Sequence, residues 1–185
     1  NTVEPADPAA EAVDVLLVSV PFYHVAGATT MLSSVWGGRK MVVLPQFEPG
    51  AWLKAVQEHG VTHSFVVPTM LKRIMEHADF EKTDLSSLKL VAYGAAPMPY
   101  EVVTHAVRVM PCGLMNAYGQ TESTSSLTFL GPDDHLVPEQ EGQARDRALA
   151  RLRSVGRPMD DVAVGIMDPD GNLLPSGQEG EIVAQ

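Results

Sequence analysis

Gly113-Leu114-Met115-Asn116-Ala117-Tyr118-Gly119-Gln120-Thr121-Glu122 is the stretch whose reading decides the fold. A short apolar run ends in an aromatic face, a glycine, a hydroxyl and a carboxylate. That pattern reads as a buried strand delivering polar groups to its carboxyl end, where open α/β sheets bind ligands. Tyr118 suits stacking on a flat ring, Gly119 lets backbone come close, and Thr121 can donate to a phosphate oxygen. Glu122 is a hard oxygen ligand suited to Mg²⁺. The same residues also fit an ordinary turn, with Thr121 as an N-cap and Glu122 favouring a helix dipole.

Outward from this stretch the chain alternates. Residues 15–20, 41–44, 61–67, 88–93 and 113–118 are short apolar runs, several rich in valine. Between them, helical spacing appears in residues 69–78, behind Pro68 and with Thr69 as a possible cap. It recurs in 100–110, and more weakly in Trp52, Leu53 and Val56 before Gly60. The expected fold class is α/β, a parallel sheet with helices on both faces. Beyond Glu122, residues 132–142 read as loop. Residues 143–153 read as a surface helix whose basic run is a solvated face. Residues 162–167, the turn Asp168-Pro169-Asp170-Gly171 and Asn172-Leu173-Leu174 predict a β-hairpin, the start of an antiparallel module with residues 181–185. The divisions are a linker at 1–14, an α/β subdomain at 15–130, a loop and surface helix at 131–153 and a hairpin region at 154–185.

Two further clusters follow predicted strands. Pro21-Phe22-Tyr23-His24-Val25-Ala26-Gly27 sets a histidine between an aromatic pair and a small apolar turn. His24 is a candidate site residue on the same rim as Tyr118, or a histidine capping a strand-to-helix turn. Tyr93-Gly94-Ala95-Ala96-Pro97-Met98-Pro99 offers small residues that let backbone approach a planar ligand. Met31 and Trp36 read as helical core, with the wall of a pocket as the alternative.

The 185 residues suit one domain with a substantial core. A formal charge of -10 argues against nucleic acid as a partner. The one cysteine, Cys112, fits a reducing, cytoplasmic setting and a packing role rather than a nucleophile. No apolar run is long enough for a membrane span. The chain opens on Asn1 rather than methionine and closes within a strand-like run, so it reads as an excerpt of a longer protein.

Taken together, the clusters resemble the adenylate-forming superfamily of acyl-CoA synthetases, adenylation domains and firefly luciferase, from about Val15 to Gln185. The resemblance rests on Asn116–Glu122, on Pro21–Gly27, on Gly94–Pro97, and on Ser154-Val155-Gly156-Arg157-Pro158 and Gly180-Glu181-Ile182. It implies that Tyr118 stacks on adenine, with Gly94, Ala95, Ala96 and Pro97 lining the other side. Asn116, Ala117 and Gly119 would supply nearby contacts, Thr121 would touch the α-phosphate, and Glu122 would hold Mg²⁺. His24 would sit where the acyl group meets the adenylate, making His24, Thr121 and Glu122 the implied catalytic residues. The implied function is an acid-CoA ligase using ATP, Mg²⁺ and CoA on a carboxylic acid. A plain acyl or aryl tail is expected, fatty acids first, because Pro21–Gly27 lacks an acid to pair an amino group. A non-catalytic acyl- or nucleotide-binding module, or an adenylation domain for another carboxylate, are the other readings. The family's phosphate loop, ribose-binding aspartate and lysine-bearing small domain have no match here, so these residues would hold about half a site.

Overall fold

A computed structural model describes residues 13–185, with Ser125 described through its backbone alone. Of the expected linker at 1–14, residues 1–12 lie outside them. Five strands run parallel: β1 (Val15–Val18), β2 (Lys40–Val43), β3 (His63–Val66), β4 (Leu90–Gly94) and β5 (Gly113–Gln120). Between them lie α1 (Val25–Trp36), α2 (Pro49–His59), α3 (Pro68–Met75) and α4 (Tyr100–Val109). Two strands that the periodicity did not reveal follow. β6 (Ser125–Leu130) turns back antiparallel to β5, and β7 (Arg157–Pro158) pairs antiparallel to β6. The sheet order is β2-β1-β3-β4-β5-β6-β7, so the sheet is mixed rather than purely parallel. β6 was hidden because Ser125, Ser126 and Thr128 interrupt its apolar residues.

The order explains where the helices go. The chain steps from β1 outward to β2, then back across β1 to β3, β4 and β5. Right-handed crossovers therefore place α1 on one face and α2, α3 and α4 on the other. α2, α3 and α4 pack side by side over Val15, Leu17, Val66, Val91 and Leu114, all buried. Within this core Trp52 is fully enclosed, and its Nε1–H donates to Ser64 Oγ at 3.1 Å. Ser64 in turn donates to the Leu17 carbonyl at 3.2 Å, so the buried polar atoms are paired.

Local chemistry sets the helix ends. Glu48 caps α2, accepting from the Ala51 N–H at 2.6 Å, and Pro49 follows in the first turn. Gly60 closes the helix at φ 58°. α3 corrects the expected Thr69 cap: Val67 holds the cap position without a side-chain bond, and Pro68 begins the helix, which ends at Met75. Trp36 corrects another expectation, being 62% exposed on the outer face of α1, while Met31 is half-buried.

After β6 the chain makes a 3₁₀ turn (Asp133–His135), a loop and α5 (Gln143–Arg151). The arginines here are more than a solvated face. Arg151 and Arg157 both meet the Asp134 carboxylate, at 3.4 and 3.1 Å, and the Arg153 guanidinium lies 3.9 Å from the centroid of the Tyr100 ring. β8 (Val164–Met167) pairs along its length with β9 (Glu181–Ala184). Residues 172–174 fold back on β8 through the expected turn: Leu173 bridges Met167, the Leu174 N–H donates to the Ile166 carbonyl at 2.7 Å and the Asp168 N–H to the Asn172 carbonyl at 2.9 Å. The Asp168 carboxylate accepts from the Asp170 and Asn172 N–H groups.

Candidate functional site

The parallel register brings the strand ends into line: Val18 is level with Phe65, Val66 with Tyr93, and Gly94 with Ala117. His24, Ala95 and the turn 120–123 consequently leave the sheet along its carboxyl edge. A cavity of about 480 Å³ opens there, between α1 and the sheet face opposite α2, α3 and α4. His24, Ala95, Ala117, Gly119, Thr121 and Glu122 all line it.

His24 is the N-cap of α1. Its Nδ1 accepts from the Ala26 N–H at 3.2 Å, which leaves the ring proton on Nε2. The capping role and the cavity role therefore belong to one side chain. Behind it, Gly27 is packed so closely that a Cβ would run into the Pro21 carbonyl. Gly94 is likewise enclosed, since a Cβ there would strike the Ala117 carbonyl oxygen. Strand packing alone thus requires glycine at Gly94, whatever lies beside it.

Ala95 adopts φ 62° and Thr124 φ 66°, and they are the two non-glycine residues with positive φ among the described residues. Ala95 lines the cavity, and Thr124 closes the turn that carries Thr121 and Glu122. Such conformations cost on the order of 1 kcal/mol and persist where surrounding structure imposes them, commonly at ligand sites. Thr121–Ser123 forms a 3₁₀ turn with Gln120, rather than Thr121, at its cap. Gln120 and Ser123 cap one another, which leaves Thr121 and Glu122 exposed at the rim.

β5 divides the remaining candidates. Ala117 and Gly119 face the cavity, while alternation turns Asn116 and Tyr118 to the other side. Asn116 lies against Tyr93, and Tyr118 is half-buried. Ala96 and Pro97 are exposed at the rim and do not line the cavity. An aromatic platform and the cavity thus sit on opposite sides of β5, joined over its end by Gly119, Gln120 and Thr121.

Residues that sequence reading did not single out complete the cavity. Thr29, Thr30 and Ser33 come from α1, Phe65 and Met115 from the sheet, and Arg39 and His63 from its amino end. The period-2 alternation of β3, with His63 and Phe65 on one face and Ser64 and Val66 on the other, was the available signal. Burial, and secondarily the charge of Arg39, hold His63 below the ordinary histidine range against the opposing pull of Asp14. Cys112 packs against the core, and burial pushes its thiol up to about 11, as inert cysteines behave.

No cluster of three ligating side chains occurs among the described residues. Glu122 with the Thr121 hydroxyl still suits Mg²⁺, which binds through one or two carboxylates while phosphates and water complete its shell.

The fold and cleft define an α/β ligand-binding domain whose site is assembled at the carboxyl ends of parallel strands. The chain belongs to the AMP-binding enzyme family, whose model matches residues 2–185. It is 33% identical over 166 residues to the medium/long-chain-fatty-acid–CoA ligase FadD8 of Mycobacterium tuberculosis, covering 90% of this chain and 27% of that one. It is 32% identical over 170 residues to a feruloyl-CoA synthase of an Amycolatopsis species, covering 90% of this chain and 31% of that one. The amide bond synthetase McbA from Marinactinospora thermotolerans superposes with a TM-score of 0.78 at 34% identity, over 94% of this chain and 32% of that one. The chain therefore spans under a third of the length of these relatives.

Proposed function

We propose that these residues form the acyl- and nucleotide-facing part of an ATP-dependent acid-CoA ligase. The observation that carries the reading is the convergence of His24 with the Thr121-Glu122 turn on one cavity from one sheet edge. In this reading the carboxylate of the acid attacks the α-phosphorus of ATP and pyrophosphate leaves. The CoA thiol then displaces AMP from the acyl carbon. Tyr118 stacks on adenine beside Gly94 and the rim residues Ala95, Ala96 and Pro97, with Asn116, Ala117 and Gly119 close by. Thr121 donates to the α-phosphate and Glu122 holds Mg²⁺, which neutralises charge developing on the phosphoryl oxygens.

His24 stands where the acyl carboxyl meets that phosphate. Leu16, Phe65, Ala92 and Met115 give the tail an apolar wall. Glu122, at the mouth, is the one carboxylate among the cavity-lining residues, so an amino group deeper inside would be an unpaired buried charge. A fatty or aryl acid is favoured accordingly, in keeping with the names of the two ligases above.

Pyrophosphate exchange in the full-length protein tests the assignment. Glu122→Gln should slow exchange about a hundredfold, on the order of 3 kcal/mol, with the melting temperature unchanged. Tyr118→Ala should mainly raise KM for ATP, because stacking is present in ground and transition states alike. Normal exchange by Glu122→Gln, with a lowered melting temperature, would reduce Glu122 to a turn residue.

A further inference from the structure

The cavity beside His24 does not end in a dry wall. It continues beneath α1 along the apolar sheet face to the amino edge, where Arg39 and His63 line it. Arg39 follows the Gly37-Gly38 end of α1, and its neighbour Lys40 pairs with Val15 at the start of β1. His63 opens β3, level with Leu90 and through it with Gly113. From Gly113 to Gly119 the strand rises about 20 Å at ~3.3 Å per residue, which sets the span between the two polar ends.

Arg39 is half-buried, and among the described residues its guanidinium has no hydrogen-bond or ion-pair partner. The acid at that edge, Asp14, is already engaged: Lys89 Nζ lies 2.7 Å from its Oδ1, and His63 Nδ1 lies 3.9 Å from its Oδ2. His63 Nδ1 also sits 2.7 Å from the Thr62 hydroxyl. A guanidinium is always charged, and withdrawing it from water without a counter-charge is unfavourable. In a chain of net charge -10, an unmatched cation in a cavity runs against the composition. It is the one arginine or lysine among the cavity-lining residues.

We propose that Arg39 is a specificity-determining residue at the far end of this cavity, accepting a terminal carboxylate. The substrate class is then a carboxylic acid with an apolar body and a second acid group at its distal end. The inference rests on the reading that the cavity holds the acyl chain with its reacting carboxyl beside His24. A planar guanidinium can grip a carboxylate through two parallel N–H···O bonds, so the match is one of shape as well as charge.

The test compares hexadecanoate with hexadecanedioate by titration calorimetry on the full-length protein. The diacid should bind about tenfold more tightly, the scale of a charge-assisted hydrogen bond. Arg39→Met keeps an apolar stem and should bring the two Kd values within about twofold by weakening the diacid alone. Arg39→Lys should retain part of the preference. Ala92→Phe, which fills the middle of the cavity, should weaken both acids. Equal affinities in the unmodified protein, or a diacid preference that survives Arg39→Met, would overturn the role of Arg39 and leave the acyl cavity standing. Failure of both acids to bind, or binding untouched by Ala92→Phe, would overturn the acyl cavity and this inference with it.

Discussion

Tyr93 and His135 meet in the core, the hydroxyl 2.9 Å from Nε2 with both side chains buried. His135 Nδ1 lies 2.8 Å from the Gly131 carbonyl. A carbonyl only accepts, so Nδ1 carries the proton and the tyrosine donates to Nε2. Burial pushes the Tyr93 hydroxyl up to about 12, with Asn116 pulling the other way, and burial holds His135 below its ordinary range. Tyr93→Phe would strand Nε2 without a donor and should cost about 1–3 kcal/mol, measurable by urea denaturation at pH 8. The pH dependence follows from the lowered pKa. Unfolded His135 takes up a proton near its ordinary 6.5 while the folded side chain resists, so this contribution is whole above that pH. It is lost as pH falls through 6.5 toward the folded value. Denaturation between pH 7.5 and 5.5 should show the loss, and His135→Gln should flatten part of the slope. His63, whose pKa is lowered in the same sense, adds to the same slope. An unchanged slope in the variant would mean that His135 does not report the unfolding proton uptake.

At the scale of elements, the entry to α1 depends on Gly27 fitting against the Pro21 carbonyl. Gly27→Ala forces that carbonyl or the first turn of α1 to shift, at a cost of about 1–3 kcal/mol. Its signature should be a lower melting temperature together with a raised KM for the acid, because His24 moves with the turn. A fall in stability with KM unchanged would separate His24 from the acid. The same elements show why some of the fold was legible. Valine-rich runs located the five parallel strands to within a few residues, and Gly60 marked the end of α2. β6 escaped because Ser125, Ser126 and Thr128 break up its apolar run, so that neither the period of a strand nor that of a helix marks it. The turn at Asp168–Gly171, by contrast, was legible from its residues and does fold Leu173 back onto Met167. Of the candidate site, His24 and the turn after β5 could be located from their strands. The alternation of β3 gave the face of His63 but not its cavity, and Arg39 left no signal, because only the crossover of α1 onto the opposite face brings the amino edge into the same cavity.

Across the whole molecule the two faces of the sheet are unlike. One is sealed by three helices over a continuous core, while among the described residues α1 is the one helix that roofs the other, with Leu32, Val35 and Trp36 turned outward. No helix among the described residues is long and apolar enough to cross a membrane. A lone roof element with few buried residues belongs to the low-stability end of a domain and opens without the rest. Amide hydrogen exchange should therefore be fastest in α1 among the long helices and slowest in β3, β4 and β5. A ligand seated in the cavity should slow α1 before it affects α2. If α1 were as protected as α2 in the free protein, the roof would be no weaker than the floor. Otherwise, the helix that shapes the cavity also serves as its door, and the rate at which α1 lifts sets how quickly any ligand can enter from the side.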